Sequence, residues 1–156
     1  MKFSDIITED SIIPDLKARD KEGVLEELAQ AICTHAPSVD KSDLVRVLLE
    51  REKLGSTGIG EGVAIPHGKI SSLNQPMISF GRSKHGLDFD SMDGQPAYLF
   101  FLLVAPENSA GLHLKTLAKI AKVLKSKDFR RKLMEAGTRE EIYETIVKTD
   151  EEENGI

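Results

Sequence analysis

The chain has 156 residues, of which 40% are hydrophobic and 30% are charged, and its formal net charge is −5. This length suits a single domain, because a chain of about 150 residues buries enough apolar surface to form one core. The acidic balance argues against a nucleic-acid binder, which needs a basic surface to displace counterions from phosphates.

The N-terminal segment bears on the cellular location. Its first ten residues, MKFSDIITED, are polar and acidic and lack the apolar stretch of a secretory signal. The longest apolar run, residues 97–106, is too short to cross a bilayer. A single cysteine, Cys33, excludes an internal disulfide. We therefore expect a cytoplasmic protein that does not insert into membranes.

Two helices are predicted in the first third of the chain. Apolar residues recur at helical spacing within residues 21–35, Asp20 is a candidate N-cap, and Pro37 blocks continuation. A second helix is predicted from about residue 41 to 53, with Asp40 as its cap. Each helix has one apolar stripe, as expected of a helix that packs against a core.

Short strands are predicted after these helices. A glycine-rich segment, residues 55–62, leads into a strand at 63–67 that is broken at Pro66, since proline cannot donate to a β-ladder. Residues 77–82 form a second predicted strand. The continuous apolar run at 98–104 predicts a central strand that is covered on both faces.

Three more helices are predicted in the last third of the chain. The first spans about residues 112–125 and places Leu114 on its apolar face. A short helix is expected near 127–136, and the last begins at Thr138, where Glu141 completes a capping box.

These elements predict the fold class α/β, a single domain with a mixed β-sheet flanked by helices on both faces. The sheet should be mixed because the connection between the first two strands is too short for a helical crossover. We expect the domain to occupy residues 1–148. Residues 149–156 are acidic and are expected to form a disordered tail.

Basic residues cluster in the helices that follow residue 112. Two solvated helix faces explain this cluster more simply than a docking surface does, although the sequence leaves both interpretations open. The cluster comprises Lys115, Lys119, Lys122, Lys125, Lys127, Arg130, Arg131 and Lys132.

His67 is the main candidate for chemistry. Glycines precede and follow it, and glycine lets backbone amides approach a ligand closely. Consecutive amides in such a loop form an anion-binding nest, to which Ser56 and Thr57 add hydroxyl donors. A histidine at the rim of this loop is suited to accept a phosphoryl group. The alternative is a turn-rich surface loop that ends in a histidine by chance.

Arg51 and His113 are the other candidates. Arg51 continues the apolar stripe of its helix, where an arginine needs an anionic partner. A transferred phosphoryl group would be such a partner, but on sequence alone a structural salt bridge, or a side chain whose stem is buried while its charged head reaches water, is favoured. His113 lies in the first turn of a predicted helix and on its core side. Taken alone, it is more simply a structural histidine.

The spacing of the residues argues against nucleotide-binding and metal sites. The glycine-rich segment lacks the Gly-Lys-Ser/Thr of a Walker A loop and the spacing of a dinucleotide fingerprint. A zinc site built from His67 and His113 has no evident third ligand. We therefore expect no metal and no cofactor.

Two segments resemble a known family. Residues 51–68, REKLGSTGIGEGVAIPHG, closely resemble the signature of enzyme IIA domains of the fructose, mannitol and nitrogen-regulatory group, the type 2 domains of the bacterial phosphotransferase system. Residues 113–118, HLKTLA, resemble the second histidine motif of that family. The likeness extends from about residue 3 to 148.

The resemblance implies a histidine phosphocarrier with the enzyme IIA type-2 fold. By position, His67 matches the phosphoacceptor, which an HPr-like protein would phosphorylate at Nε2. Arg51 matches the arginine that stabilises the phosphoryl group, and His113 matches the second active-site histidine. We further expect the loop residues to bind the phosphoryl group, namely Ser56, Thr57, Gly58 and Gly68.

One position departs from the family pattern. Many relatives have Asn where this chain has Glu61. A carboxylate that pointed into an anion site would weaken phosphate binding, so we expect the Glu61 side chain to point outward.

The resemblance leaves the biological role open. A regulatory carrier of the nitrogen-related branch would act on target proteins, whereas a sugar-transport component would pass phosphate to an enzyme IIB domain. The lack of a fused partner domain and the sequence His67-Gly68-Lys69 favour the regulatory branch. Outside this class, an unmodified protein-binding module and a small metal-dependent hydrolase remain as alternatives.

Overall fold

A computed structural model describes residues 2–154 of the chain. After a 3₁₀ turn at Phe3–Asp5, the strands are β1 (Ile7–Ile13), β2 (Gly58–Gly60), β3 (Val63–Ala64), β4 (His67–Ile70), β5 (Met77–Leu87) and β6 (Ala97–Pro106). The helices are α1 (Lys21–His35), α2 (Lys41–Lys53), α3 (Ala110–Leu124), α4 (Lys127–Glu135) and α5 (Arg139–Asn154).

The strands form one mixed sheet, as predicted. Their order is β1-β5-β6-β3-β2, and β4 also pairs with β6. The pairs β5/β6 and β2/β3 are antiparallel, while β1/β5, β3/β6 and β4/β6 are parallel. Strand β6 is therefore central, which agrees with its continuous apolar sequence.

Each face of the sheet carries its own hydrophobic core. Side chains alternate along a strand, so Phe100 and Phe101 of β6 lie on opposite faces. Phe100 packs with the residues of α1 and α2, such as Leu28 and Leu48. Phe101 packs with the residues of α3, α4 and α5, such as Ile120. Helices thus cover both faces, and the predicted α/β architecture is confirmed.

Helices α1 and α2 have the bounds that the sequence predicted. The carboxylate of Asp20 accepts a hydrogen bond from the Gly23 amide at 2.8 Å, which caps α1. Asp40 caps α2 through the amide of Asp43. Because α2 ends at Lys53, Arg51 lies in its last turn, directly before the glycine-rich segment.

Strands β1 and β2 were not predicted, and β4 was predicted only at its first residue, His67. Strand β1, with the sequence ITEDSII, is exposed from Thr8 to Asp10 and lacks the alternation that marks a half-buried strand. Its register with β5 shifts between Ile7 and Ile12, which accommodates this polar stretch. Strand β2 is only three residues long and contains two glycines.

Helix α3 differs from its prediction. It begins at Ala110, and its buried face includes Thr116, Ile120 and Val123. The side of the helix that carries Leu114 faces away from the sheet, so this residue is 64% exposed. The prediction that Leu114 lies on the apolar face is wrong, because the side of the helix that faces the core carries His113 and Thr116.

The end of the chain also differs from expectation. Helix α5 continues to Asn154, so the acidic residues up to that point are helical, where a disordered tail was expected. Asp150 is buried and accepts a hydrogen bond from the Phe3 amide at 2.6 Å, and its carboxylate lies 2.7 Å from the Lys119 ammonium. Gly155 and Ile156 lie outside the described residues.

Some basic residues of the C-terminal helices form ion pairs with acidic residues of the same helix. Arg131 pairs with Asp128 and Glu135, and Lys132 also pairs with Asp128. These pairs support the interpretation as solvated helix faces.

Within residues 2–154, no helix is both apolar enough and long enough to traverse a lipid bilayer.

A buried arginine joins three parts of the fold. Arg82 of β5 donates from Nε to the carbonyl oxygen of Pro14 at 3.0 Å. Its Nη1 donates to the carbonyl oxygens of Leu133 and Ala136 at 2.9 and 2.6 Å, at the C-terminal end of α4. These carbonyls have no partners within the helix, and the cation also interacts favourably with the helix dipole.

We predict that Arg82→Met lowers the free energy of unfolding by about 3 kcal/mol, because several buried carbonyls lose a charged donor. Urea denaturation measures this loss. Arg131→Met is the matched control, since its ion pairs are exposed and should contribute little. Equal losses in the two variants would contradict the role of Arg82.

Candidate functional site

His67 lies where the chain leaves one short strand and enters the next. Pro66 separates β3 from β4, and both strands pair with β6. The Pro66 carbonyl accepts a hydrogen bond from the Leu103 amide at 3.0 Å, which holds this junction against the sheet. His67 is the first residue of β4 and is half-buried.

One of the two ring nitrogens of His67 is engaged in a hydrogen bond with the backbone. Its Nδ1 lies 2.8 Å from the carbonyl oxygen of Ile65. A carbonyl only accepts hydrogen bonds, so the neutral ring that makes this contact carries its hydrogen on Nδ1. The lone pair is then on Nε2, which is the nitrogen that can act as a nucleophile.

The surroundings of His67 keep the ring neutral. Burial lowers the pKa of His67, and the positive charge of Arg51 lowers it further. The hydrogen bond to Ile65 and the negative charge of Glu52 act in the opposite direction, but the net shift of the pKa is downward from its ordinary value of 6.5. Near neutral pH the Nε2 lone pair is therefore present.

Arg51 presents its guanidinium beside this histidine. Its side chain is half-buried, and Nη1 donates a hydrogen bond to the Gly55 carbonyl at 2.9 Å. Among the side chains described, residues 2–152, no carboxylate lies within ion-pair distance of the guanidinium. The structural salt bridge that sequence alone favoured is therefore not found there, and the positive charge acts on His67 instead.

His113 brings a second imidazole to the site. It is the fourth residue of α3, only 6% exposed, and its ring centroid lies 5.4 Å from that of His67. Burial, His67 and Lys69 all lower the pKa of His113, so it is also neutral. Its Nδ1 is buried and has no hydrogen-bond partner among the described residues. We assign the ring hydrogen to Nε2, because an orphaned buried donor is rarer than an orphaned acceptor.

The loop hydroxyls do not face the histidines as the sequence suggested. Ser56 donates to the Phe89 carbonyl at 2.7 Å and accepts from the Gly58 amide at 3.0 Å. The amide and hydroxyl of Thr57 both donate to the carboxylate of Glu52. The expected phosphate-binding nest of Ser56, Thr57 and Gly58 is corrected accordingly, since their donors are committed to the Phe89 carbonyl, the Glu52 carboxylate and the Ser56 hydroxyl.

Gly68 has a packing role. A Cβ atom at this position would lie 2.7 Å from a methyl carbon of Val47 in α2. Glycine therefore lets α2 approach β4 closely, which brings Arg51 towards His67. The structure thus explains Gly68 without the phosphate-binding role that was expected of it.

Glu52 was missed at the sequence level. It is buried, and together with Leu44 and Leu48 it forms the buried face of α2. The signal was available, because a carboxylate four residues after Leu48 continues the apolar stripe. Its partners are Thr57 and the ammonium of Lys21, which lies 2.8 Å from Oε1.

The expectation that Glu61 points outward is confirmed. Its side chain is 79% exposed, and its carboxylate lies 3.7 Å from the guanidinium of Arg130. The backbone of Glu61 is left-handed, with φ of 59°. Such a backbone is uncommon for residues other than glycine, although Asn is enriched in it. Within the described side chains, no group of three or more His, Cys, Asp or Glu residues converges as a metal site.

This arrangement defines a class of protein, namely an α/β domain that presents a neutral imidazole beside a guanidinium and a second imidazole. Such a site suits a phosphoryl group carried on histidine. Residues 5–149 match the family model described as "Phosphoenolpyruvate-dependent sugar phosphotransferase system, EIIA 2". The chain belongs to this enzyme IIA type-2 family, whose members are phosphocarriers.

Relatives in the family carry two kinds of name. A nitrogen regulatory protein of Bradyrhizobium diazoefficiens is 42% identical over 94% of this chain and 95% of its own length. The fructose-specific EIIABC component of Bacillus subtilis is 37% identical over 96% of this chain, which spans only 24% of that longer protein.

Solved structures share the fold. The nitrogen regulatory protein IIA-Ntr of Neisseria meningitidis superposes with a TM-score of 0.85 at 36% identity, covering 91% of this chain and 97% of its own. The mannitol IIA of Escherichia coli has a TM-score of 0.74 at 22% identity over 89% of this chain and 97% of its own. At that identity the mannitol protein supports the fold alone.

We predict that the NMR titration midpoint of the His67 ring lies below 6.5, because burial and Arg51 disfavour the imidazolium. Arg51→Gln should raise this midpoint, since the variant removes a positive charge while Glu52 and His113 stay in place. Arg46→Gln is the matched control on the exposed side of α2 and should leave the midpoint unchanged. A midpoint at or above 6.5, or no change in Arg51→Gln, would contradict this electrostatic description.

Proposed function

We propose that Nε2 of His67 accepts a phosphoryl group from the phosphohistidine of an HPr-like protein. The observation that carries this proposal is the hydrogen bond from His67 Nδ1 to the Ile65 carbonyl at 2.8 Å. It commits one nitrogen to the protein backbone and leaves the lone pair of the other for the reaction.

The proposed step is an in-line transfer between two imidazoles. The lone pair of His67 Nε2 forms a bond to phosphorus while the bond from phosphorus to the donor nitrogen breaks, and its electron pair returns to the donor ring. His67 keeps its hydrogen on Nδ1, so the phosphorylated ring gains positive charge. The Ile65 carbonyl stabilises that charge, because its hydrogen bond strengthens as the donor becomes cationic.

Arg51 and His113 would stabilise the phosphoryl oxygens. The guanidinium of Arg51 offers donors with the geometry that phosphate accepts best. The Nε2–H group of His113 offers a neutral donor within a ring that lies 5.4 Å from His67. Catalysis in this mechanism comes from positioning and charge stabilisation.

Two exposed leucines adjoin residues of the site in sequence, and we take them as candidate contacts for a protein donor. Leu54 follows Arg51 by three residues and is 85% exposed, and Leu114 follows His113 directly and is 64% exposed.

A nitrogen-related regulatory role is the best-supported biological context. The regulatory relative from Bradyrhizobium matches this chain over nearly its full length, at higher identity than the fructose-specific relative from Bacillus. Such a carrier would pass its phosphorylation state to regulatory target proteins. The alternative is a fructose- or mannitol-type component that hands the phosphoryl group to an enzyme IIB domain.

We predict that His67→Ala abolishes the gain of one phosphate when the protein is incubated with a phosphorylated HPr-like donor. Intact mass spectrometry measures this gain. His85→Ala is the matched control, since His85 is exposed and should leave labelling intact. Arg51→Ala should fold and label about 10-fold or more slowly, because it removes charge stabilisation of the phosphoryl group.

Labelling of the His67 variant at the wild-type level would refute the assignment of the phosphoacceptor. A wild-type protein that never gains phosphate from any such donor would favour the unmodified binding module.

The choice of phosphodonor distinguishes the regulatory role from the sugar-transport role. We predict that the phosphorylated donor of a nitrogen-related system labels the protein faster than the donor of a sugar system, when both are used at equal concentration. Initial rates of labelling give the comparison. Faster labelling by the sugar-branch donor would favour the transport role.

A further inference from the structure

Lys21 occupies a position where a cation is unfavourable for its own helix. It is the first residue of α1, where the positive end of the helix dipole repels an ammonium group. Its Nζ lies 2.8 Å from Glu52 of α2, 3.5 Å from Asp90 and 4.8 Å from the centroid of the Phe89 ring. The contacts of Lys21 with residues outside α1 therefore explain why a lysine occupies this position.

The main partner of Lys21 is the buried carboxylate of Glu52. The Glu52 side chain is only 4% exposed, so its charge needs both a counter-ion and hydrogen-bond donors. Lys21 is the counter-ion. The donors are the amide of Thr57, at 3.1 Å from Oε1, and the hydroxyl of Thr57.

The contacts continue from Thr57 to the imidazole of His67. The carbonyl of Thr57 accepts a hydrogen bond from the Ile65 amide at 3.0 Å. The carbonyl of Ile65 in turn accepts the hydrogen bond from His67 Nδ1 at 2.8 Å. A series of hydrogen bonds thus connects the Glu52 carboxylate with the ring that is proposed to react.

We propose that Glu52 is a positioning residue for phosphoryl transfer, which fixes the Nδ1–H tautomer and the direction of His67 through Thr57 and Ile65, with Lys21 as its counter-ion. This inference rests on the proposed function of His67. Glu52 itself touches neither the reacting nitrogen nor, in the mechanism above, the phosphoryl group.

The position of Glu52 in the sequence fits this role. It directly follows Arg51, so the same helical turn presents a guanidinium to the reaction centre and a carboxylate to the loop beneath it. If the loop were free to move, the Ile65 carbonyl would move with it. His67 would then lose the hydrogen bond that commits Nδ1.

The decisive variant is Glu52→Gln, which keeps the size of the side chain but removes its charge and one acceptor oxygen. Glu50→Gln is the matched control, because Glu50 lies two residues earlier on the same helix and its carboxylate is exposed and paired with Arg46. Both variants are compared with the wild-type protein in single-turnover transfer from a phosphorylated HPr-like donor and by ¹⁵N NMR of the His67 ring. Here kcat is the maximal rate constant for labelling of His67, and KM is the donor concentration that gives half of that rate.

We expect Glu52→Gln to lower kcat by about 10-fold or more, since a misplaced reacting group is costly, and to leave KM for the donor within about 2-fold. KM should hold because Glu52 is buried and cannot contact the donor protein. The ¹⁵N shifts should show a mixture of His67 tautomers in Glu52→Gln and a single Nδ1–H form in the wild type and in Glu50→Gln. A residue that only stabilised the fold would not change the tautomer of the folded protein.

Thr57 supplies a second test in case Glu52→Gln does not fold. Thr57→Ser keeps the hydroxyl and should retain the wild-type kcat and tautomer, whereas Thr57→Val removes the hydroxyl and should reproduce the effects expected of Glu52→Gln. A folded Glu52→Gln or Thr57→Val protein with the wild-type kcat and a single Nδ1–H tautomer would overturn the inference. Absence of labelling in the wild type would instead refute the proposed function, and the tautomer would still test the positioning.

Discussion

The hydrogen bond between His67 Nδ1 and the Ile65 carbonyl is the contact on which the site depends. Because a carbonyl cannot donate, the contact places the ring hydrogen on Nδ1 and the lone pair on Nε2. Half-burial and the nearby charge of Arg51 keep that lone pair free of a proton near neutral pH. The other groups of the site, including the His113 ring at 5.4 Å, are arranged around this one nitrogen.

The sheet explains why these groups meet. Pro66 interrupts the ladder between β3 and β4, and both strands remain aligned because each pairs with the central strand β6. Gly68 lets α2 lie close against β4, since any larger residue would meet Val47. The last turn of α2 then delivers Arg51 to the reaction centre and Glu52 to the loop below it. The reactive geometry therefore follows from strand pairing and helix packing, and a flexible loop is not required.

Local signals in the sequence predicted much of this structure. Apolar periodicity and the caps Asp20 and Asp40 defined α1 and α2, and the short connection between predicted strands indicated a mixed sheet. Strand β1 was missed because its polar middle hides the alternation. The loop hydroxyls were misjudged because their partners are set by tertiary structure, as with Ser56 and the carbonyl of Phe89, 33 residues away. The juxtaposition of His67, Arg51 and His113 came from family resemblance, since residues so distant in sequence have no periodic relation.

In the proposed mechanism, Nε2 of His67 carries the phosphoryl group. The most direct measurement is ³¹P–¹⁵N coupling in protein whose histidine ring nitrogens are labelled with ¹⁵N and which has been phosphorylated by its donor. We expect one phosphorus coupled to Nε2 of His67, with hydrogen retained on Nδ1. Coupling to Nδ1, or to a nitrogen of any other histidine, would contradict it.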